Sequence, residues 1–478
     1  MNFMPPEFQP AAPEMFVLAM ICVILMVDVF LSDERRGISF TLSLLTLAGA
    51  AWLTATNVPD GRVLIFGDMF VADRLSHALK LVSYGAVALV FLFSRDYLKQ
   101  KDLFKGEYFI LGLFGLLGIM VMISAHHFLT LYLGLELMAL SLYTLVAFDR
   151  DSPVASESAM KYFVLGAIAS GTLLYGISIL YGVTGTLNFG ELATALADRD
   201  RPELPLLFAL AFVLVGVAFK FGAVPFHMWL PDVYQGAPTS VTLYVGSAPK
   251  IAAFAMIMRI IVEAMGPMHD SWQDMLMVIG VFSVALGNIT AIAQTNIKRM
   301  LAYSTIAHMG FVVLGVLTGT VDGYRAAMFY TITYVLTTIG TFGVIILLSR
   351  KGFESENLDD FKGLNARSPW FAAMMLVLMF SLAGVPPFLG FYAKLVIFSS
   401  LIDASLPWLA ALVVIFTVIG AFYYLRVIKL MYFDEAGDAA PIESQLDTRV
   451  VLSATALAVL GLGIFPGGLL ELCARAIG

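Results

Sequence analysis

Four ionisable residues stand near the middle of long apolar runs: Glu136, Lys220, Lys250 and Lys394. A charge at the bilayer centre costs about 2.5–3.5 kcal/mol on insertion scales, and here the cost recurs four times. Carboxyl and ammonium groups exchange protons, and burial moves their proton affinities readily. The chemistry these types could perform at membrane depth is proton transfer. His308, flanked by Ser304 and Thr305 in another apolar run, adds an imidazole that passes protons near neutral pH. A structural reading stands beside each: a hydrogen-bonded packing histidine at His308, a glutamate bonded to a neighbouring helix at Glu136, and caps on freed carbonyls at the lysines. Lys161 and Tyr162 are weaker candidates, because Lys161 is close enough to a span end to snorkel. His227 and Asp232 are expected near the surface, His126 and His127 in a short solvated loop, and Arg259 within reach of the interface. Lys80 and Asp28, near span ends, receive no role.

The elements that must position these groups follow from composition. Of the 478 residues 60% are hydrophobic and 13% charged, against about 25% charged in soluble domains. The chain is an all-α polytopic membrane protein. A span takes about 20 apolar residues, and spans are predicted at 13–31, 38–56, 72–94, 107–124, 127–148, 156–182, 204–232, 239–264, 273–293, 297–318, 323–349, 369–400, 405–431 and 448–468, about 14 in all. No basic tract suggests nucleic acid. Cys22 and Cys473 have no CxxC partner, which argues against zinc, iron–sulfur and disulfide frameworks. The amino terminus lacks a basic region, so the first span reads as retained. Alternate loops differ sharply in Lys and Arg. One set holds Arg35, Arg36, Arg95, Lys99, Lys101, Lys105, Arg150, Lys298, Arg299, Arg350, Lys351, Lys362, Arg367, Arg426, Lys429 and Arg449, and the other only Arg62, Arg74, Arg199, Arg201, Arg325 and Arg475. Positive charge marks the cytoplasmic side, which sends both termini outward.

Two stretches repeat. Ala159-Met160-Lys161-Tyr162, opening the sixth span, echoes Ala327-Met328-Phe329-Tyr330, opening the eleventh; Gly222-Ala223-Val224-Pro225 in the seventh echoes Ala383-Gly384-Val385-Pro386 in the twelfth. A five-span unit, spans 4–8 and 9–13, accounts for both, and an odd number of spans inverts the second copy. The chain then divides into 1–106, 107–264, 265–432 and 433–478. Proline frees the carbonyl four residues back: Pro225 that of Phe221, Pro386 and Pro387 those of Leu382 and Ala383. Broken backbone at membrane depth is tolerated inside protein or beside water, so broken spans 7 and 12 are predicted to line hydrated cavities. A plain proline kink is the alternative for one such site; two matched sites, each near a lysine, point to an ion path.

The stretch Phe219-Lys220-Phe221-Gly222-Ala223-Val224-Pro225-Phe226-His227-Met228-Trp229-Leu230-Pro231-Asp232-Val233-Tyr234, continuing to Gly236-Ala237-Pro238-Thr239, resembles a signature of the antiporter-like membrane subunits of respiratory complex I. These subunits are related to those of multisubunit cation/proton antiporters and membrane-bound hydrogenases. Leu382 to Lys394 and Asn296 to Gly310 look like the same family, and the likeness covers essentially all fourteen spans. The short length, the end after the last span without a long lateral helix, and Lys394 where one subunit type carries glutamate narrow the choice within the family. The resemblance implies a proton-translocating subunit of NADH:quinone oxidoreductase. It implies Glu136 paired with Lys220, then Lys250, His308 and Lys394 as relay residues. It implies no cofactor in this chain, with NAD, FMN, iron–sulfur clusters and quinone in partner subunits. Neighbouring antiporter-like and small membrane subunits, in the lipid bilayer of a bacterial cytoplasmic (inner) membrane, are the implied partners, with both termini periplasmic. A subunit of a multisubunit cation/proton antiporter, and a structural membrane subunit with vestigial polar groups, remain the rival classes.

Overall fold

A computed structural model describes residues 8–59, 61–199, 203–435, 442 and 446–478. Among these residues thirteen helices are long and apolar enough to cross a membrane. The helices run α1 (Ala12–Val29), α2 (Gly37–Thr56), α3 (Arg74–Gln100), α4 (Gly106–Ile123), α5 (Phe128–Val146) and α6 (Pro153–Thr184), then a short α7 (Phe189–Ala197). The seventh predicted span is two pieces, α8 (Leu204–Phe221) and α9 (Trp229–Gly236). The eighth is α10 (Thr239–Gly246), α11 (Ala248–Ile257) and a terminal π-helix, Met258–Ala264. There follow α12 (His269–Ile292), α13 (Ile297–Val316), α14 (Val321–Leu348) and a four-residue turn, α15 (Leu364–Arg367). The twelfth predicted span is split into α16 (Pro369–Ala383) and α17 (Leu389–Asp403), each too short to span alone, which brings the thirteen long helices to the expected fourteen passes. The series ends with α18 (Pro407–Phe433), α19 (Leu446–Ile464) and α20 (Gly467–Ala476).

Local chemistry sets many of the helix starts. Asp73 and Ser76 form a reciprocal cap on α3, Ser152 caps α6 with Pro153 in its first turn, and Asn296 and Thr320 cap α13 and α14. Each side-chain oxygen takes an amide that has no partner within its helix. Helices apolar on every side must be enclosed or face lipid, and both kinds occur. The stretch Thr239–Ala264 and helix α14 are 94% buried over their apolar windows, whereas α1, α18 and α19 are 33% buried. The centre of the molecule is therefore α10, α11, α13 and α14, with the other helices around it. α4 packs on α5, and α12 on α13, closely enough that a β-carbon at Gly118 or Gly287 would fall 2.5 or 2.7 Å from a backbone amide of the partner helix; small residues permit such approach.

Contacts separate two faces. Gln9 bonds Asn57 at 3.1 Å, and Arg475 shares a cavity with Val58 and Arg74, so the start of α1 and helix α20 lie on the face of the cation-poor loops. Arg95 pairs with Asp447 and Lys101 with Glu354 on the opposite, cation-rich face. The sequence did not signal the hairpin Val63–Ile65 with Phe70–Ala72, the helices α7 and α20, or the interruption at Ser247 between α10 and α11. The last span ends at Ile464 rather than 468, and Pro466 starts a separate helix.

Candidate functional site

The two broken spans end alike. Gly222 closes α8 and Gly384 closes α16 in left-handed conformations, φ +73° and +85°, which glycine adopts without steric cost. The following amides fold back, Ala223 onto the Ala218 carbonyl and Val385 onto that of Phe380, in the manner of a Schellman motif. The carbonyls then left over are those freed by the prolines and that of Lys220, whose usual donor, the Val224 amide, bonds Ser283 instead. Lys250 Nζ donates to Phe221 O at 3.1 Å and Lys220 O at 3.4 Å. Lys394 Nζ donates to Ala383 O at 2.8 Å and Leu382 O at 3.1 Å. Pro225, Pro386 and Pro387 face the periphery, and the 330 Å³ cavity beside Pro225 is apolar, walled by Phe219, Phe226 and Trp229. The freed carbonyls turn inward to the lysines instead.

Lys220, buried in α8, has no hydrogen-bond partner for Nζ and packs over the Phe219 ring at 5.7 Å. Glu136, half-buried on α5, accepts from Ser170 Oγ of α6 at 2.5 Å. Among the described residues the two make no direct ion pair, although Lys220 lies within the electrostatic reach of Glu136, and Lys250 within that of Lys220. Lys250 sits over the Trp229 ring at 5.4 Å.

Two hydrogen-bonded groups of hydroxyls surround His308. Its Nδ1 meets Tyr330 Oη at 2.7 Å and its Nε2 meets Tyr424 Oη at 3.0 Å; Tyr424 bonds Ser304 at 2.5 Å. Thr305 links Tyr334 at 2.7 Å to Tyr234 at 3.4 Å. Lys394 lies over Phe311, which stacks on Tyr330 with centroids 5.3 Å apart. Ser304, Thr305, Tyr334 and Leu382 border a cavity of about 10 Å³, the threshold for one water. The sequence reading found His308 and missed the tyrosines. A usable signal was present in α14: Tyr330 and Tyr334 at i, i+4, with Thr331, Thr333, Thr337, Thr338 and Thr341, in a helix with no polar face toward water.

Several peripheral expectations change. His126 is buried, not solvated, and its Nδ1 meets Arg62 at 3.2 Å; burial and then the Arg62 charge push its pKa down. His127 instead caps α5. Arg259 is fully enclosed rather than at the interface, donating to both Asp73 oxygens at 2.8 Å and to Glu263, which also pairs with Arg62 at 2.7 Å. Burial works against the Asp73 carboxylate, but the Arg259 guanidinium outweighs it and holds the carboxyl well below its usual range. Lys80 forms a buried pair with Glu14 at 2.5 Å, and Asp28 accepts from Ser39 at 2.5 Å. Nearness to a span end says nothing about which neighbours cover it. Asp232, part-exposed as expected, joins Lys161 at 2.9 Å and Arg299 at 2.7 Å on the cation-rich face. There a 440 Å³ polar basin holds Lys101–Glu354 and Lys298–Glu356 at 2.6 and 2.7 Å, and Lys298 is almost wholly buried. No group of three or more side chains fit to hold a metal ion occurs among the described residues.

Broken apolar helices whose loose ends are tied by lysines define a class of ion-moving membrane subunit, and residues 125–420 match the family model described as NADH:quinone oxidoreductase/Mrp antiporter, TM. Full-length similarity is narrower. NADH-quinone oxidoreductase subunit N of Thioalkalivibrio sulfidiphilus is 58% identical over 478 residues, all of both chains. A chain of respiratory complex I from Thermus thermophilus, solved with bound aureothin, superposes with TM-score 0.83 at 29% identity, covering 96% of this chain and 98% of that one. A chain of the Mrp complex from Dietzia sp. shares the fold, TM-score 0.85 at 22% identity over 98% and 97% of the two chains. The chain belongs to the NADH-quinone oxidoreductase subunit N family.

Proposed function

We propose that this chain moves protons across a bacterial inner membrane as a subunit of NADH:quinone oxidoreductase, through Glu136, Lys220, Lys250, His308 and Lys394. The observation that carries the reading is the matched seating of Lys250 and Lys394 on carbonyls freed at two helix breaks. A lysine ammonium has three N–H donors. Two are spent on carbonyls, so the third proton can leave while the amine keeps its cap. Deprotonation then costs no backbone rearrangement. Lys220 lacks such anchoring and is free to exchange with Lys250, whose charge it opposes, while Glu136 stabilises the loaded form of Lys220. From Lys250 the hydroxyls of Tyr234, Thr305, Tyr334, Tyr330 and Tyr424 and the His308 ring lead toward Lys394. Protons enter from the cation-rich cytoplasmic face and leave at the periplasmic one. The drive comes from quinone reduction in partner subunits, which hold NAD, FMN and iron–sulfur clusters, and neighbouring antiporter-like and small membrane subunits adjoin this chain. Spans 4–8 and 9–13 act as two inverted half-units, with 1–106 and 433–478 flanking them.

The test is a double-mutant cycle on NADH-driven proton pumping in vesicles. Lys220→Ala and Glu136→Gln each impair pumping, and together they are non-additive, as expected for groups that share one charge balance. Additive losses in fully assembled complexes would remove the pairing. The shared fold with an Mrp chain favours one second reading, cation/proton antiport; sodium-dependent proton flux by the same complex would select it.

A further inference from the structure

The relay leaves unused a 590 Å³ groove on the cation-poor face, where the start of α3 meets the terminal helix α20. Its mouth carries Arg74, His77 and Arg475, and its floor is apolar, with Leu81, Val82 and Leu472. Cations are scarce on this face, and most are spoken for: Arg62 pairs with Glu263, Arg199 with Glu203 and Arg325 with Asp322. Arg74 is exposed and, among the described residues, has no acidic partner; Arg475 meets Glu471 but remains three-quarters exposed. Helix rise places Val82 about 12 Å deeper than Arg74, so charge at the rim gives way to hydrocarbon-facing wall along one groove. α20 is short, buries Cys473 against the bundle and turns Arg475 outward, the arrangement of a helix lying in the membrane interface.

We propose that this groove binds an anionic phospholipid, its phosphate held between Arg74 and Arg475 with His77 donating to an ester oxygen, and an acyl chain lying along Leu81, Val82 and Leu472. Two guanidiniums present forked N–H donors to the oxygens of an anionic phosphate, and the apolar floor offers nothing to a free phosphate. The lipid would tie α20 to α3 and so fix the carboxyl end of the chain against the bundle.

The experiment uses the intact complex in native membranes, with photoreactive phospholipid probes carrying a diazirine midway along one acyl chain and either a glycerol or a choline head group. The glycerol (anionic) probe labels peptides spanning 74–82 and 467–476, and unlabelled phosphatidylglycerol, not phosphatidylcholine or inorganic phosphate, competes. Arg74→Gln with Arg475→Gln lowers labelling by roughly 30-fold, the scale of two basic residues near an anionic surface, and the Arg→Lys pair retains it. Equal labelling by the choline probe, unchanged labelling in the Gln pair, or no labelling of the groove by either probe, as when another subunit covers it, overturns the proposal. The competition on the unmodified complex decides the matter even if the variants fail to assemble.

Discussion

At Lys394 two demands meet in one side chain. It satisfies the Leu382 and Ala383 carbonyls, and the proposed relay asks it to give up a proton. Substitutions separate the two. Lys394→Met leaves two buried carbonyls unpaired, at ~1–3 kcal/mol each, so the assembled complex should melt earlier and pump less. Lys394→Arg keeps cationic N–H donors at the break but cannot deprotonate. It should hold most of the stability while pumping falls by roughly 10²-fold, the scale on which a lost proton-transfer group is felt. Thermal midpoints and NADH-driven acidification of vesicles check both. Arginine that pumps normally would reduce Lys394 to a cap. The capping arrangement, open in the sequence as an alternative for the three lysines, occurs in the structure at Lys250 and Lys394, while Lys220 has no such anchor. No pattern in one sequence could assign it, because the cap depends on which helix crosses the break, and Lys250 arrives from thirty residues away along the chain.

At the level of elements, the two breaks were legible because Gly and Pro act locally: a left-handed residue and a missing amide end a helix wherever they stand. Their consequences are not identical. A β-carbon on Gly222 would meet Leu230 Cδ1 at 2.4 Å, whereas on Gly384 it would meet Lys394 Cδ at 2.8 Å and Nζ at 3.1 Å. Both substitutions also force an alanine into left-handed backbone, which costs about 1–2 kcal/mol. Gly222→Ala and Gly384→Ala should therefore destabilise the complex similarly, while only Gly384→Ala displaces Lys394 of the proposed relay and is expected to uncouple quinone-linked turnover from pumping. Equal pumping per electron in the two variants would contradict that division. The interruption at Ser247, two residues before Pro249, was not legible, since a proline in a first helical turn is compatible with an unbroken span boundary elsewhere. The tyrosine chain was hidden for a related reason: hydroxyls at the tips of apolar rings read as span filling until the fold shows that α13, α14 and α18 point them at one another.

For the whole molecule, the loop-charge asymmetry and the contact geometry supply different halves of one statement. Geometry places the start of α1 and helix α20 on one face, through Gln9–Asn57 and the Arg475–Val58–Arg74 groove, and the Arg95–Asp447 and Lys101–Glu354 pairs on the other. Which face is cytoplasmic comes from charge alone, because cationic loops resist translocation. The two sources agree loop by loop: Arg299 with Asp232, Lys298 with Glu356 and Lys351 with Asp102 all gather on the face predicted inward. The polar basin at Glu354 opens on the cation-rich face, where the proposed uptake would lie, and the Arg259–Asp73 cluster lies toward the other. Thiol labelling decides the orientation. Cys473 is buried and Cys22 lies within the apolar helix α1, so a Cys473→Ala background gives little signal from an impermeant maleimide. In that background Lys351→Cys, at a side chain 80% exposed, should react only in inverted vesicles, and Gly478→Cys, at the carboxyl end, only in right-side-out ones. The opposite pattern would reverse the direction of proton flow through every step of the relay while leaving its residues in place.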